Sequence, residues 1–314
     1  MLSRRSFLNT SLGAGLALTT PGTGPATAQA PASQAARRRI VDAQVHLWKA
    51  NTPERPWPPN TVPQLPEPFG YDKLVPMMNE AGVERVVIVP PSWEGDRIDY
   101  ATEAQGKYPT RFGIMGRIPL ADPKSAALLP KWKDQPGMLG IRVSFNGPGQ
   151  LAWLSNGTAD WFWPAAEKAG IPVMFLSPGN LPIFAPIAER HPQLRLIIDH
   201  MGLSIDIAKA GKREDAVAQA AALAKYPNVS VKLSSAPTYS SDPYPYRDMT
   251  PFIRRLYDAY GPQRCHWGTD MTNSFAKATY RQRITHFTEE LPFLSEDDKD
   301  WIMGRAIMAR LNWA

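Results

Sequence analysis

The 314-residue sequence contains one cysteine, Cys265. That excludes an intrachain disulfide framework and a zinc site built from several thiolates. Beyond the N-terminal segment no stretch approaches the ~18 uninterrupted apolar residues of a membrane span, so no stable membrane anchor is expected. The formal net charge is +6, and without Arg4 and Arg5 it is two lower. The basic cluster of the body is the short run Arg37 to Arg39. Neither that run nor any motif points to nucleic acid. A Gly-rich phosphate loop is also missing: the first strand-like run continues into "VHLWKANTPE", which weighs against a doubly wound dinucleotide fold.

What is present begins with "SRRSFLN" (Ser3 to Asn9), an apolar small-residue run from Leu12 to Leu18, and "AQA" at Ala28 to Ala30. The order of paired arginines, apolar core and small-x-small site is that of a twin-arginine export signal. Residues 1–30 are therefore expected to be a signal peptide, 31–38 a flexible N-terminal segment, and 39–314 a single domain. The expected partner of the signal is the twin-arginine export machinery, and the expected location is periplasmic. Proline is abundant, at 32 residues, and densest in "NTPERPWPPNTVPQLPEPFG" (Asn51 to Gly70). So rigid a loop inside a compact domain reads as a lid or site wall.

Strand-like and helix-like segments alternate through the body. The strand candidates are "RIVDAQVHL", "ERVVIVP", "RFGIMGRI", "MLGIRVSF", "IPVMFL", "LRLIIDH", "NVSVKLS" and "RCHWGTD". Helical patterning lies between them, with Gly82, Gly170 and Gly261 as stops and Thr250-Pro251 as a cap followed by a first-turn proline. About eight βα units predict a single (β/α)8 TIM barrel of the α/β class. Read at period two, Leu139, Ile141, Val143 and Phe145 share one face, opposite Arg142, Ser144 and Asn146. Likewise Asp42, Gln44 and His46 oppose Val41, Ala43, Val45 and Leu47, and Ser230, Lys232 and Ser234 oppose Val229, Val231 and Leu233. Barrel strands bury their outer face under helices, so the polar sets are expected to face inward.

Parallel strands bring their C-terminal ends to one mouth. The polar residues there are Gln44, His46, Arg117, Arg142, Ser144, His200, Lys232, Ser234 and Asp270, with Ser92 and Trp93 in the loop after strand two. Asp270 beside a histidine can hold and shuttle a proton, or it can join His46 and His200 in ligating a divalent metal whose bound water ionises near neutral pH. Arg117, Arg142 and Lys232 make the mouth positive, and arginine forks suit carboxylates or sulfonates. A small anionic substrate is the expected ligand.

"IVDAQVHLW", "GIRV", "LRLIIDHMG", "NVSVKLS" and "WGTD" resemble the barrel signatures of the amidohydrolase-related family, whose members include 2-pyrone-4,6-dicarboxylate lactonase and 4-sulfomuconolactone hydrolase. The resemblance covers nearly all of the body. It implies Asp270 as the base that activates water, Arg142 as a substrate-carboxylate ligand, and His46, His200 and Asp270 as ligands of one divalent metal, zinc or manganese. Two departures stand out. Gln44 replaces the first histidine of the family's H-x-H pair, and strand five, "IPVMFLSPGN", has no histidine where metal-dependent members carry one. Both weaken the metal site. They favour opening of a small anionic lactone, of muconolactone or pyrone type, over amide hydrolysis. A metal-dependent decarboxylase of a carboxylated ring and a non-catalytic binding barrel are the alternatives.

Overall fold

Eight short runs of buried aliphatic residues form eight parallel strands in the computed structural model, which describes residues 38–314. They are β1 (Val41–Val45), β2 (Arg85–Ile88), β3 (Phe112–Gly116), β4 (Met138–Ser144), β5 (Val173–Leu176), β6 (Leu196–Ile198), β7 (Val229–Lys232) and β8 (Cys265–His266), paired in chain order. The ring closes where the β8 segment meets β1: Ala43 N–H donates to Trp267 O at 3.2 Å, and Asp270 N–H to Gln44 O at 2.9 Å. This is the (β/α)8 barrel that the alternation predicts. The export-signal segment and residues 31–37 lie outside the described residues. Arg38 already belongs to the folded body, where it pairs with Asp300 at 2.6 Å and Glu296 at 2.7 Å.

The helices end where their stop residues dictate. Tyr71–Ala81 is closed by Gly82 in the left-handed region (φ 75°), a conformation that costs glycine little. Thr250–Tyr260 is followed by Gly261. Its start differs from expectation: Met249 is the cap position, and Thr250 lies inside the first turn and makes no side-chain cap. Between β3 and β4 the connection is a 3-10 segment, Pro123–Asp134, with Pro130 inside it. A proline there removes a backbone donor.

Two apolar layers form. The outer one packs strands against helices and includes Ile141, Val143, Val229, Val231 and Cys265. The inner one fills the barrel with Val41, Val87, Met115, Leu139, Met174 and Ile197, joined by Ile307 and Leu311 of the C-terminal helix Ala306–Leu311. Strict alternation fails in two strands. On β4, Met138 pairs with Ile114 and Gly140 with Met115, so Leu139 is an extra residue and turns inward, away from Ile141 and Val143. On β1 the register shifts between Asp42 and Val45. Val41 and Ala43 belong to the inner layer, whereas Val45 and Leu47 belong to the outer one. Asp42 therefore does not share a face with Gln44 and His46. Its carboxylate accepts from Tyr280 Oη at 2.8 Å and from Thr269 N–H at 2.8 Å. Bulges of this kind re-aim side chains next to active sites, and here the residues re-aimed are Gln44, His46 and Arg142.

Candidate active site

The C-terminal ends of β1, β6, β7 and β8 converge on Asp270, which is 1% exposed. His46 Nε2 lies 3.2 Å from Asp270 Oδ1, and His200 Nε2 lies 3.7 Å from Oδ2. Ser235 Oγ donates to Oδ2 at 2.9 Å, and Asn273 Nδ2 donates to the same oxygen. Oδ1 has no hydrogen-bond partner of good geometry. Burial opposes the charge on Asp270, yet His200, His46 and Ser235 together hold its carboxyl well below the usual range. The group is an anion at neutral pH with one oxygen free to accept a proton.

Three residues of this site adopt the left-handed backbone region: His200 (φ 52°), Ser235 (φ 64°) and Asp270 (φ 45°). Non-glycine residues held there cost about 1–3 kcal/mol each and cluster at functional sites. The turn at His200 has a clear effect. Ile197 faces inward on β6, so alternation brings Asp199 inward and carries His200 away. The left-handed step returns His200 to the mouth.

Each imidazole is oriented by a partner. His46 Nδ1 donates to Val89 O at 2.6 Å, which turns Nε2 toward Asp270 Oδ1, and Gln44 Nε2 lies 3.3 Å from the same nitrogen. Lys232 Nζ donates to Gln44 Oε1 at 2.6 Å, which fixes the carboxamide with its N–H toward His46. His200 Nδ1 meets Ser234 Oγ at 2.8 Å and Ser235 Oγ at 3.2 Å. Burial pulls the His200 imidazole below its usual value, although Asp270 and Asp199 oppose that shift.

Beneath lies a charge triad. Asp199 pairs with Lys232 at 2.8 Å and with Arg142 Nε at 3.0 Å. Burial would raise Asp199, but Lys232 and then Arg142 pull it down to about 2. Arg142 also donates to Ser144 Oγ. Gln44, Lys232 and Ser234 are fully buried and line neither cavity at the mouth. Their expected role as substrate ligands gives way to a positioning role, because Lys232 spends its charge on Asp199 and its hydrogen bond on Gln44.

Two cavities open at the mouth and share Arg142. One, of about 290 Å³, is walled by His46, His200, Asp270, Trp93, Tyr239 and Arg142, with neutral polar groups around them. The other, of about 310 Å³, holds Arg117, Ser144 and the second face of Arg142. Arg117 is 9% exposed. It stands 3.6 Å from Asp96, and its Nε and Nη1 have no hydrogen-bond partner. Burial, with Arg142 nearby, lowers its guanidinium to about 10, still a cation at neutral pH.

Several contributors were not anticipated as site residues: Asp199, Ser235, Asn273, Gln64 and Tyr239. Asp199 stood inside "DHMG", and the inward side of β6 was the signal that could have found it. The others lie on loops or in the short helical turns Ala236–Tyr239 and Met271–Asn273, too short for a periodicity to show. Cys265 faces the outer layer, and burial pushes its thiol far above the usual range, so it is no nucleophile. His191 is tied to Glu167 at 2.9 Å. His266 and His286 are buried away from both cavities.

An amidohydrolase family model matches residues 41–307. The chain belongs to the amidohydrolase family. It is 28% identical over 73% of its length to an L-fucono-1,5-lactonase of Burkholderia ambifaria, covering 79% of that protein. An amidohydrolase from Burkholderia multivorans solved with bound zinc is similar at TM-score 0.72 and 19% identity, over 87% of this chain and 99% of that one. A probable 2-pyrone-4,6-dicarboxylic acid hydrolase from Acinetobacter baumannii with citric acid bound is similar at TM-score 0.70 and 16% identity, over 88% and 100%. At those identities the two structures speak for the fold alone.

For an amidohydrolase a metal is the first question. The three expected ligands, His46, His200 and Asp270, do come together. Among the described residues, however, no group of three or more His, Cys, Asp or Glu side chains is arranged to hold a metal ion. The donor set explains this: the amide N–H of Gln44, pinned by Lys232, lies against His46 Nε2, the nitrogen a metal would need. The residues present do not fit a tightly held zinc or manganese ion.

Proposed function

We propose that this amidohydrolase opens a small lactone that carries an anionic substituent, using water activated by Asp270. Family membership and the similarity to a lactonase support a hydrolase acting on an ester bond. The observation that carries the reading is the buried Asp270, whose Oδ1 lies 3.2 Å from His46 Nε2, in a cavity wall shared with two histidines. Water bound at Oδ1 loses its proton to the carboxylate as its oxygen attacks the lactone carbonyl carbon. When Ser234 donates to His200 Nδ1, Nε2 carries the proton and can donate to the developing oxyanion. Collapse breaks the ring C–O bond, and the proton on Asp270 passes to the departing ring oxygen. The product is a hydroxy acid.

Arg117 supports the anionic substituent, because a carboxylate or sulfonate would satisfy the Nε and Nη1 N–H groups that Asp96, 3.6 Å away, leaves without a hydrogen bond. Arg142, already committed to Asp199 and Ser144, completes that wall. The test is a panel of carboxylated, sulfonated and hydroxylated lactones, followed by proton release. In Asp270→Asn, kcat should fall about 10²- to 10⁴-fold with the circular dichroism unchanged. Activity retained in that variant would refute Asp270 as the base. We also propose export to the periplasm through the twin-arginine machinery, on the strength of Arg4, Arg5 and the segment that follows.

A further inference from the structure

The cavity that contains Asp270 and the one that contains Arg117 differ in chemistry. Around the reacting groups the catalytic wall is mostly neutral and hydrogen-bonding, from Gln64, Ser92, Asn146 and Ser204, with the rings of Trp93 and Tyr239 beside them. Flat apolar faces interleaved with neutral donors and acceptors suit a ring that bears hydroxyl groups.

Gln64 is the member of this wall that comes from the Pro-rich segment. Thr272 Oγ1 donates to its Oε1, which anchors the loop two residues beyond Asp270. Thr272 belongs to the turn Met271–Asn273, whose Asn273 donates to the Asp270 carboxylate. The latch uses the acceptor of the Gln64 carboxamide. Among the described residues its Nε2 makes no hydrogen bond, so two N–H donors remain at a wall within one turn of the catalytic base.

We infer that Gln64 is a specificity-determining residue whose carboxamide N–H binds a ring hydroxyl, so that the catalytic cavity selects hydroxylated lactones over bare ones. This rests on the lactone-hydrolase reading above. A half-buried carboxamide that donates to a ring hydroxyl holds the hydroxylated lactone by a bond that the analogue without it cannot make.

The experiment measures kcat and KM of the full-length protein on two carboxylated lactones of one ring size, D-glucaro-1,5-lactone and its analogue without ring hydroxyls, 6-oxooxane-2-carboxylate. The variants are Gln64→Ala and Gln64→Glu. The second keeps an oxygen for Thr272 while removing both N–H donors, which separates donation from latching. Wild type should prefer the hydroxylated lactone. Both variants should lose about 10- to 100-fold more in kcat/KM on it than on the analogue without hydroxyls, chiefly through KM. Equal losses on both lactones, no loss, or retained preference in Gln64→Glu would make Gln64 a structural latch and overturn the inference. A wild type that hydrolyses only anionic lactones without hydroxyls would overturn it while leaving the lactonase reading intact. A wild type inactive on every lactone would defeat both.

Discussion

Asp199 carries the electrostatics of this site without touching either cavity. It pairs with Lys232 and Arg142 in a place where all three are nearly solvent-free. Removing one partner from such a cluster leaves buried charge uncompensated. Asp199→Asn should therefore destabilise the protein by about 3–5 kcal/mol, read from denaturant midpoints at neutral pH. The pH dependence follows from its depressed value. Asp199 moves from the ordinary 3.8 to about 2 on folding, so its contribution is complete above pH 4 and is lost as pH falls through 2. Thermal scans should show the melting temperature dropping across that window in wild type, and less steeply in Asp199→Asn. An identical acid profile in both would remove Asp199 as its source. Gln44 belongs at the same scale. Its neighbour Lys232 converts what looks like a substituted metal ligand into a carboxamide fixed against His46.

At the scale of elements, the bulges in β1 and β4 set the site. Without the extra residue Leu139, the side chains after it would exchange faces, and Arg142 would point under the helices. Gly140 is where the strand can least tolerate change. A Cβ there would lie 2.4 Å from the backbone oxygen of Pro172, which leads into β5, and 2.7 Å from Met115 Cε. Met115 can move, but a backbone oxygen cannot do so cheaply. Gly140→Ala should cost about 1–3 kcal/mol and should raise KM through the displaced Arg142, measured by thermal melting and steady-state kinetics. An unchanged melting temperature would show that β4 and β5 part without loss. Both bulges were invisible to period-two reading, since Leu139 and Val41 are apolar whichever way they face. The polar alternation of β7 and the end of β8 was legible because Lys232 and Asp270 are costly to bury anywhere except at a paired interior site.

At the scale of the whole molecule, the barrel is completed by its last elements. β8 closes onto β1, and Ile307 and Leu311 join the inner layer. Arg310 reinforces this end by donating to the carbonyls of Leu196, at 3.0 Å, and Asn228, at the starts of β6 and β7. The inner core thus includes side chains from the last turns of the chain described. Replacing Arg4 and Arg5 with lysines should leave active, folded protein in the cytoplasm and deplete the periplasm, as assayed by fractionation and lactone turnover. Equal periplasmic activity in both forms would rule out the twin-arginine route.

The order of strands and helices, the barrel class and the family were determined by the sequence alone, because periodicity and stop residues act locally and recur eight times. The same holds for His46, His200 and Asp270, which lie at strand ends in recognisable runs. The tertiary structure decided which polar groups meet a cavity and which support it. Lys232 and Gln44 look like ligands in the linear chain. Lys232 meets Asp199 and Gln44 only when the closed barrel turns β1, β6 and β7 toward one interior. It also decided that Gln64, in a loop without periodicity, reaches the turn after Asp270. Charge pairing and cavity shape depend on distances between residues up to 262 positions apart, and no local pattern encodes such distances.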